Sequence, residues 1–158
     1  MTKYAQISLF LFRVTMGWMF FYAGITKVLN PEWSAAGYLN AAKTFAGFFH
    51  WLASPAILPI TNFMNEWGLT LLGVSLILGI GVRLSSALGA VLMLLYYLPI
   101  LSFPYPNTHS LIVDEHIIYI AGLLVLGSLR AGRVWGLEKW CSGLPICSKF
   151  PKLREWIG

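Results

Sequence analysis

Apolar residues fill long stretches of this chain, with polar residues gathered at the breaks between them. The first stretch covers residues 7–29 and ends at Asn30-Pro31, where proline cannot continue a helix and disfavours helical geometry in the residue before it. A second stretch, residues 63–103, is almost continuously apolar. It is too long for one crossing of a hydrocarbon core, for which about 20 residues suffice. Gly79-Ile80-Gly81-Val82-Arg83 is the natural break, with Ser85 or Ser86 available to cap the next helix. Spans two and three are therefore expected at about residues 62–81 and 85–102, joined by a tight hairpin. Pro99 is expected to kink the end of span three, and Pro104 and Pro106 to terminate it. Span four is expected over residues 111–129, closed by Arg130 and Arg133, cations suited to a helix C-terminus.

The connection between spans one and two carries a different period. Gly37, Asn40, Lys43, Thr44, Gly47, His50 and Ser54 recur at steps of three and four residues, while Trp33, Tyr38, Phe45, Phe48, Phe49 and Trp51 occupy the other faces. That period predicts an amphipathic helix over residues 33–54, and its aromatic load suits the membrane interface. The expected architecture is all-α: an integral membrane four-helix bundle in residues 1–133 with one additional interfacial helix. Residues 134–158 form a tail. There is no internal repeat and no low-complexity segment.

Composition strengthens this reading. The chain is 58% apolar and only 11% charged, against about 25% charged in soluble domains, so lipid must cover much of its surface. The first span, 23 residues followed by no small-residue cleavage site, is too long for a signal peptide and is expected to stay uncleaved. The net charge of +5 is no nucleic-acid signal, because six of the eleven basic residues lie at or beyond Arg130. Four spans put both termini on one side. That side carries Lys3, Arg83, Arg130, Arg133, Lys139, Lys149, Lys152 and Arg154; the other carries Lys43, with Lys27 at its edge. The excess of positive charge predicts a multi-pass protein of the cell membrane with both termini in the cytoplasm. Cys141 and Cys147, spaced C-x5-C, match neither a redox nor a usual zinc spacing, and a cytoplasmic tail would keep them reduced.

Ionisable groups within spans are functional candidates, because each must find a partner. Arg13 and Lys27 share a face of span one with Gly17 and Gly24, and glycines allow close helix approach. Both cations are expected to point into the bundle, with snorkelling to the two surfaces as the alternative. Glu66 is expected in the first turn of span two, where it either caps the helix or pairs with Lys27. Asp114, Glu115 and His116 open span four and point about 100° apart, so one acid serves the helix terminus while the other faces the interior. His50, His109 and His116 form no H-x-x-x-H or E-x-x-H pair, and no dinucleotide, phosphate-loop, nucleophile-elbow or haem-attachment motif is present. Haem, flavin and metal are not expected, so a redox cofactor would have to be diffusible.

Three segments carry a family resemblance: R-V-T-M-G-W-M-F-F-Y-A-G-I-T-K-V-L from Arg13, E-W-G-L-T-L-L-G-V-S-L-I-L-G-I-G-V-R from Glu66, and L-R-A-G-R-V-W-G-L-E from Leu129. Together they resemble the DoxX/DoxD family of small four-helix membrane proteins, over most of the chain up to about Trp140. The resemblance implies the membrane subunit of a quinone-linked oxidoreductase, oxidising thiosulfate or a related small reductant and reducing membrane quinone alongside a second redox subunit. The alternative is a non-catalytic membrane anchor or assembly partner of a soluble redox enzyme. Expected partners are the bilayer, the quinone, the second subunit and further copies of the chain. On the first reading Glu115, His116 and Glu66 are the catalytic candidates, with Glu115 or His116 exchanging protons and Glu66 paired with Lys27, while Arg13, Lys27, Asp114 and Arg83 bind quinone or substrate.

Overall fold

In the computed structural model, which describes residues 1–138, the opening apolar run becomes helix α1 (Lys3–Val28). The Thr2 side chain caps it by accepting from the Ala5 N–H at 3.3 Å. Two short helices follow, α2 (Ala36–Asn40) and α3 (Ala46–Leu52). Then come α4 (Leu58–Leu78), α5 (Val82–Ile100), α6 (Glu115–Ser128) and a 3-10 turn (Ala131–Arg133). The described residues are thus all-α. Among them, α1 and α5 are long and apolar enough to cross a membrane, while α6 is apolar but only 14 residues long.

Close backbone approach drives the main packing. α1 and α4 run antiparallel along most of their lengths, as do α5 and α6, whereas α4 and α5 touch much less. A Cβ on Gly24 would meet the backbone of Leu69 and Thr70, and one on Gly73 would overlap the backbone of Phe21. The glycine face read on span one is therefore the face that meets α4. Leu9, Phe20, Leu69, Leu76, Met93, Leu123 and Leu126 fill the core between the pairs. The α4–α5 hairpin turns through Gly79 and Gly81, both at positive φ (69° and 64°), the region glycine occupies without a Cβ penalty.

The helix ends differ from the expected spans in ways that have local causes. α4 begins at Leu58, with Pro59 in its first turn, where a missing N–H costs nothing. Glu66 therefore lies more than two turns inside α4, and a capping role for it is excluded. Pro99 falls within the last turn of α5, and the helix ends one residue later. The single amphipathic helix expected over residues 33–54 is instead broken between α2 and α3. There the Lys43 N–H donates to the Pro99 carbonyl at 2.9 Å and the Thr44 hydroxyl to the Leu101 carbonyl at 2.5 Å. These bonds answer carbonyls left open at the end of α5, and they hold residues 41–45 out of helical geometry. Ala35, Leu39 and Phe49 form a small second core that seats α2 and α3 over the ends of α4 and α5. The expected tail begins as a docked segment: the 3-10 turn and residues 134–138 pack back on the hairpin end, where the Leu137 N–H caps the Leu78 carbonyl at 3.0 Å. Cys141, Cys147, Lys139, Lys149, Lys152 and Arg154 lie outside the described residues.

Candidate functional site

The antiparallel pairs sort the charged residues by end. At the end where α1 finishes and α4 begins, a cavity of about 350 Å3 lies beneath the α2–α3 roof. Its walls come from α1 (Lys27), the roof (Trp33, Tyr38, Phe49), α4 (Met64, Asn65) and α5 (Leu92, Leu95, Tyr96). This volume is within the usual range for small-molecule sites, about 300–1,000 Å3.

Lys27 is the one ionised residue in the lining. Its ammonium donates to the Asn65 Oδ1 at 2.9 Å and to the Tyr96 hydroxyl at 2.6 Å. Tyr96 in turn donates to the same Asn65 oxygen at 2.5 Å, closing a triangle. The ammonium also lies 4.7 Å from the Trp33 ring centre and 5.1 Å from that of Tyr96, distances at which aromatic faces attract a cation. The Tyr38 hydroxyl donates to the Tyr96 carbonyl, tying the roof to α5. Burial, with added effects from Tyr96, Asp114 and Glu115, holds that hydroxyl above its ordinary pKa, so it remains a neutral donor.

Behind Tyr96 stands a second polar pair. Asp114, 3% exposed, caps α6 by accepting from the His116 and Ile117 N–H groups at 3.0 and 3.3 Å. Its other oxygen meets His116 Nδ1 at 2.7 Å. The imidazole stacks on Tyr96, with ring centres 6.0 Å apart and planes at 17°, and meets the edge of Tyr119 at 6.5 Å. Asp114, Glu115 and His116 bring potential ligand atoms within 4.8 Å of one another. Both Asp114 oxygens are already engaged, and Glu115 is exposed, so this cluster carries no metal assignment.

The expected site residues therefore divide. Lys27 lines the cavity, and Asp114 and His116 lie one aromatic layer away. Glu115 points outward, so the two acids split as helix cap and exposed residue, not as cap and interior group. Glu66 does not form the expected ion pair. Among the described residues the two ion pairs are Asp114–His116 and Arg133–Glu138, and Asn65, one residue earlier on α4, takes the place intended for Glu66. Arg13 does not close the far side of the cavity. It lies at the opposite end, fully buried, donating to the Leu76 carbonyl at 3.1 Å and to the Val134 and Trp135 carbonyls at 3.2 and 3.5 Å. Arg83 also lies at that end, in the first turn of α5.

Asn65, Tyr96, Trp33 and Tyr38 were absent from the candidate residues. Asn65 and Tyr96 are neutral, so a search for buried charge passes over them. Trp33 and Tyr38 read as interfacial aromatics, a class too common in such segments to single out a site.

The family model described as DoxX matches residues 8–100, which include most of α1, all of α2 to α5 and the whole cavity lining, but not Asp114 and His116. No curated protein and no solved structure matches the chain.

Proposed function

Because the chain belongs to the DoxX family of membrane proteins, we propose that it is the membrane subunit of a quinone-linked oxidoreductase. In this reading α1, α4, α5 and α6 span the cell membrane as a four-helix bundle with both termini in the cytoplasm, and the cavity beneath α2–α3 receives the quinone head. The observation that carries it is a cavity apolar over most of its wall, with one ammonium in that wall fixed by Asn65 and Tyr96. Such a site suits a flat, lipid-soluble ring bearing an oxygen acceptor. Quinone supplies the two-electron acceptor when bound.

The chain's own residues bind and exchange protons. Lys27 uses two of its three N–H bonds on Asn65 and Tyr96, leaving the third for a ligand oxygen. With Nδ1 turned to Asp114, His116 keeps Nε2 to pass a proton. A small reductant such as thiosulfate is oxidised in concert with a second subunit. Lys27→Met should lower quinone affinity at least tenfold, as measured by binding of a short-chain quinone to the purified chain, with insertion unchanged. Parent-like binding by an inserted Lys27→Met protein would refute the site, and a chain that never binds quinone would favour the anchoring role.

The orientation is testable separately. Asn107 is exposed in the connection between α5 and α6, at the cavity end. A single cysteine placed there, with Cys141 and Cys147 changed to serine, should react with an impermeant maleimide on intact cells. Labelling only after lysis would reverse the orientation.

A further inference from the structure

We propose that the same cavity is a receptor for an anionic amphiphile, with a carboxylate or phosphate oxygen seated on Lys27 and an acyl chain leaving between α4 and α5. The proposal rests on the reading of the cavity as a ligand site, and it names a second class of occupant that competes with the quinone.

Charge balance carries the argument. Lys27 is held by two neutral oxygens, and among the described residues no carboxylate comes within ion-pair distance of it. Glu66, the nearest acid along α4, adds only a longer-range attraction. Trp33 and Tyr96 offer ring faces, which attract a cation but do not neutralise it. A half-buried ammonium with neutral partners gains most from a ligand that brings its own negative charge. A neutral carbonyl answers the free N–H but leaves the charge unbalanced.

The cavity wall decides what carries that charge. Apart from Lys27 and Asn65, the polar lining is limited to Ser34, Tyr38, Thr61 and Tyr96. A small hydrated anion would lose its water there with little in return. An acyl chain loses nothing. α4 and α5 touch far less than α1 and α4 or α5 and α6 do, and the cavity lining includes one exposed apolar residue from each: Met64 of α4, 66% exposed, and Leu95 of α5, 37% exposed. An opening at this seam would let a membrane amphiphile reach Lys27 without crossing water.

The test uses the full chain, purified in a neutral maltoside detergent. Binding is measured for oleate against methyl oleate, and for dioleoylphosphatidylglycerol against dioleoylglycerol. We expect the charged member of at least one pair to bind ten times more tightly than its neutral counterpart. Preference for oleate alone identifies a free fatty acid, and preference for the phosphatidylglycerol alone identifies a phospholipid. Asn65→Asp places a carboxylate where Oδ1 now lies 2.9 Å from the ammonium; it should erase the preference, as should Lys27→Met. Should neither variant fold, the comparison on the parent chain still decides. Equal binding of charged and neutral members, or a preference that survives both folded variants, overturns the proposal. A short-chain quinone titrated in parallel keeps the two readings apart. Quinone binding without anion preference refutes this proposal alone. Anion preference without quinone binding refutes the quinone reading alone, and mutual displacement supports both.

Discussion

Arg13→Met should destabilise the protein by about 2–4 kcal/mol, one of the largest losses available from a single side chain here. Replacing a buried charge with an apolar residue of similar volume is often neutral, because the desolvation cost disappears along with the pair. That escape needs both partners to go, and here they do not. The partners are the backbone carbonyls of Leu76, Val134 and Trp135, which stay in place with no donor. An orphaned buried acceptor costs about 1–3 kcal/mol. Leu76 lies in the last turn of α4, where carbonyls have no partner within the helix, so Arg13 serves as a C-terminal cap supplied by another helix. Arg13→Lys should fall between parent and Arg13→Met, since a single ammonium cannot span all three carbonyls as the guanidinium fork does. Detergent-denaturant titration of the purified variants measures this. A Met variant within about 0.5 kcal/mol of the parent would mean that water or a shifted backbone satisfies these carbonyls.

Gly73→Ala should cost about 3 kcal/mol or more, despite adding one methyl group. The new Cβ would overlap the backbone nitrogen and Cα of Phe21. Overpacking is cheap when a flexible side chain can rotate away, and a helix backbone cannot. The two helices must separate, which loosens their contact along the whole seam. Gly68, five residues earlier on the same helix, is the internal control. A Cβ there meets nothing within 4 Å, so Gly68→Ala should be neutral or stabilise by up to about 1 kcal/mol through helix propensity. Comparable losses at the two positions would show that α1 and α4 are not seated as described. Thermal unfolding of both variants in the same detergent separates these outcomes.

Residues that speak through their own covalent chemistry were legible in the sequence. Prolines and paired glycines marked helix ends to within a few residues, and Gly17 and Gly24 identified the face of α1 that meets α4. The clustering of Lys27, Asp114 and His116 at one end followed from alternating direction alone. Relations that depend on rotation about a helix or on the backbone of a distant segment were not legible. Asn65 and Glu66 are one residue apart, about 100° of helix rotation, and charge alone favoured the wrong one as the partner of Lys27. Arg13 was expected to find a ligand because its actual partners are carbonyls, which every residue carries and no sequence pattern distinguishes. The break between α2 and α3 was hidden for the same reason: the bonds that cause it run to carbonyls at the end of α5.

The fixing of Arg13 has a consequence for the order in which the protein is made. Its first partner, on α4, follows it by 63 residues, and its others follow by 121 and 122. At about 5–20 residues per second, a ribosome takes roughly 6–24 s to deliver Val134 after Arg13 has emerged. Until then the first helix holds a guanidinium that the bilayer resists and that the unfinished chain satisfies through Leu76 at most. A chain halted before Val134 would therefore hold Arg13 by the Leu76 carbonyl alone.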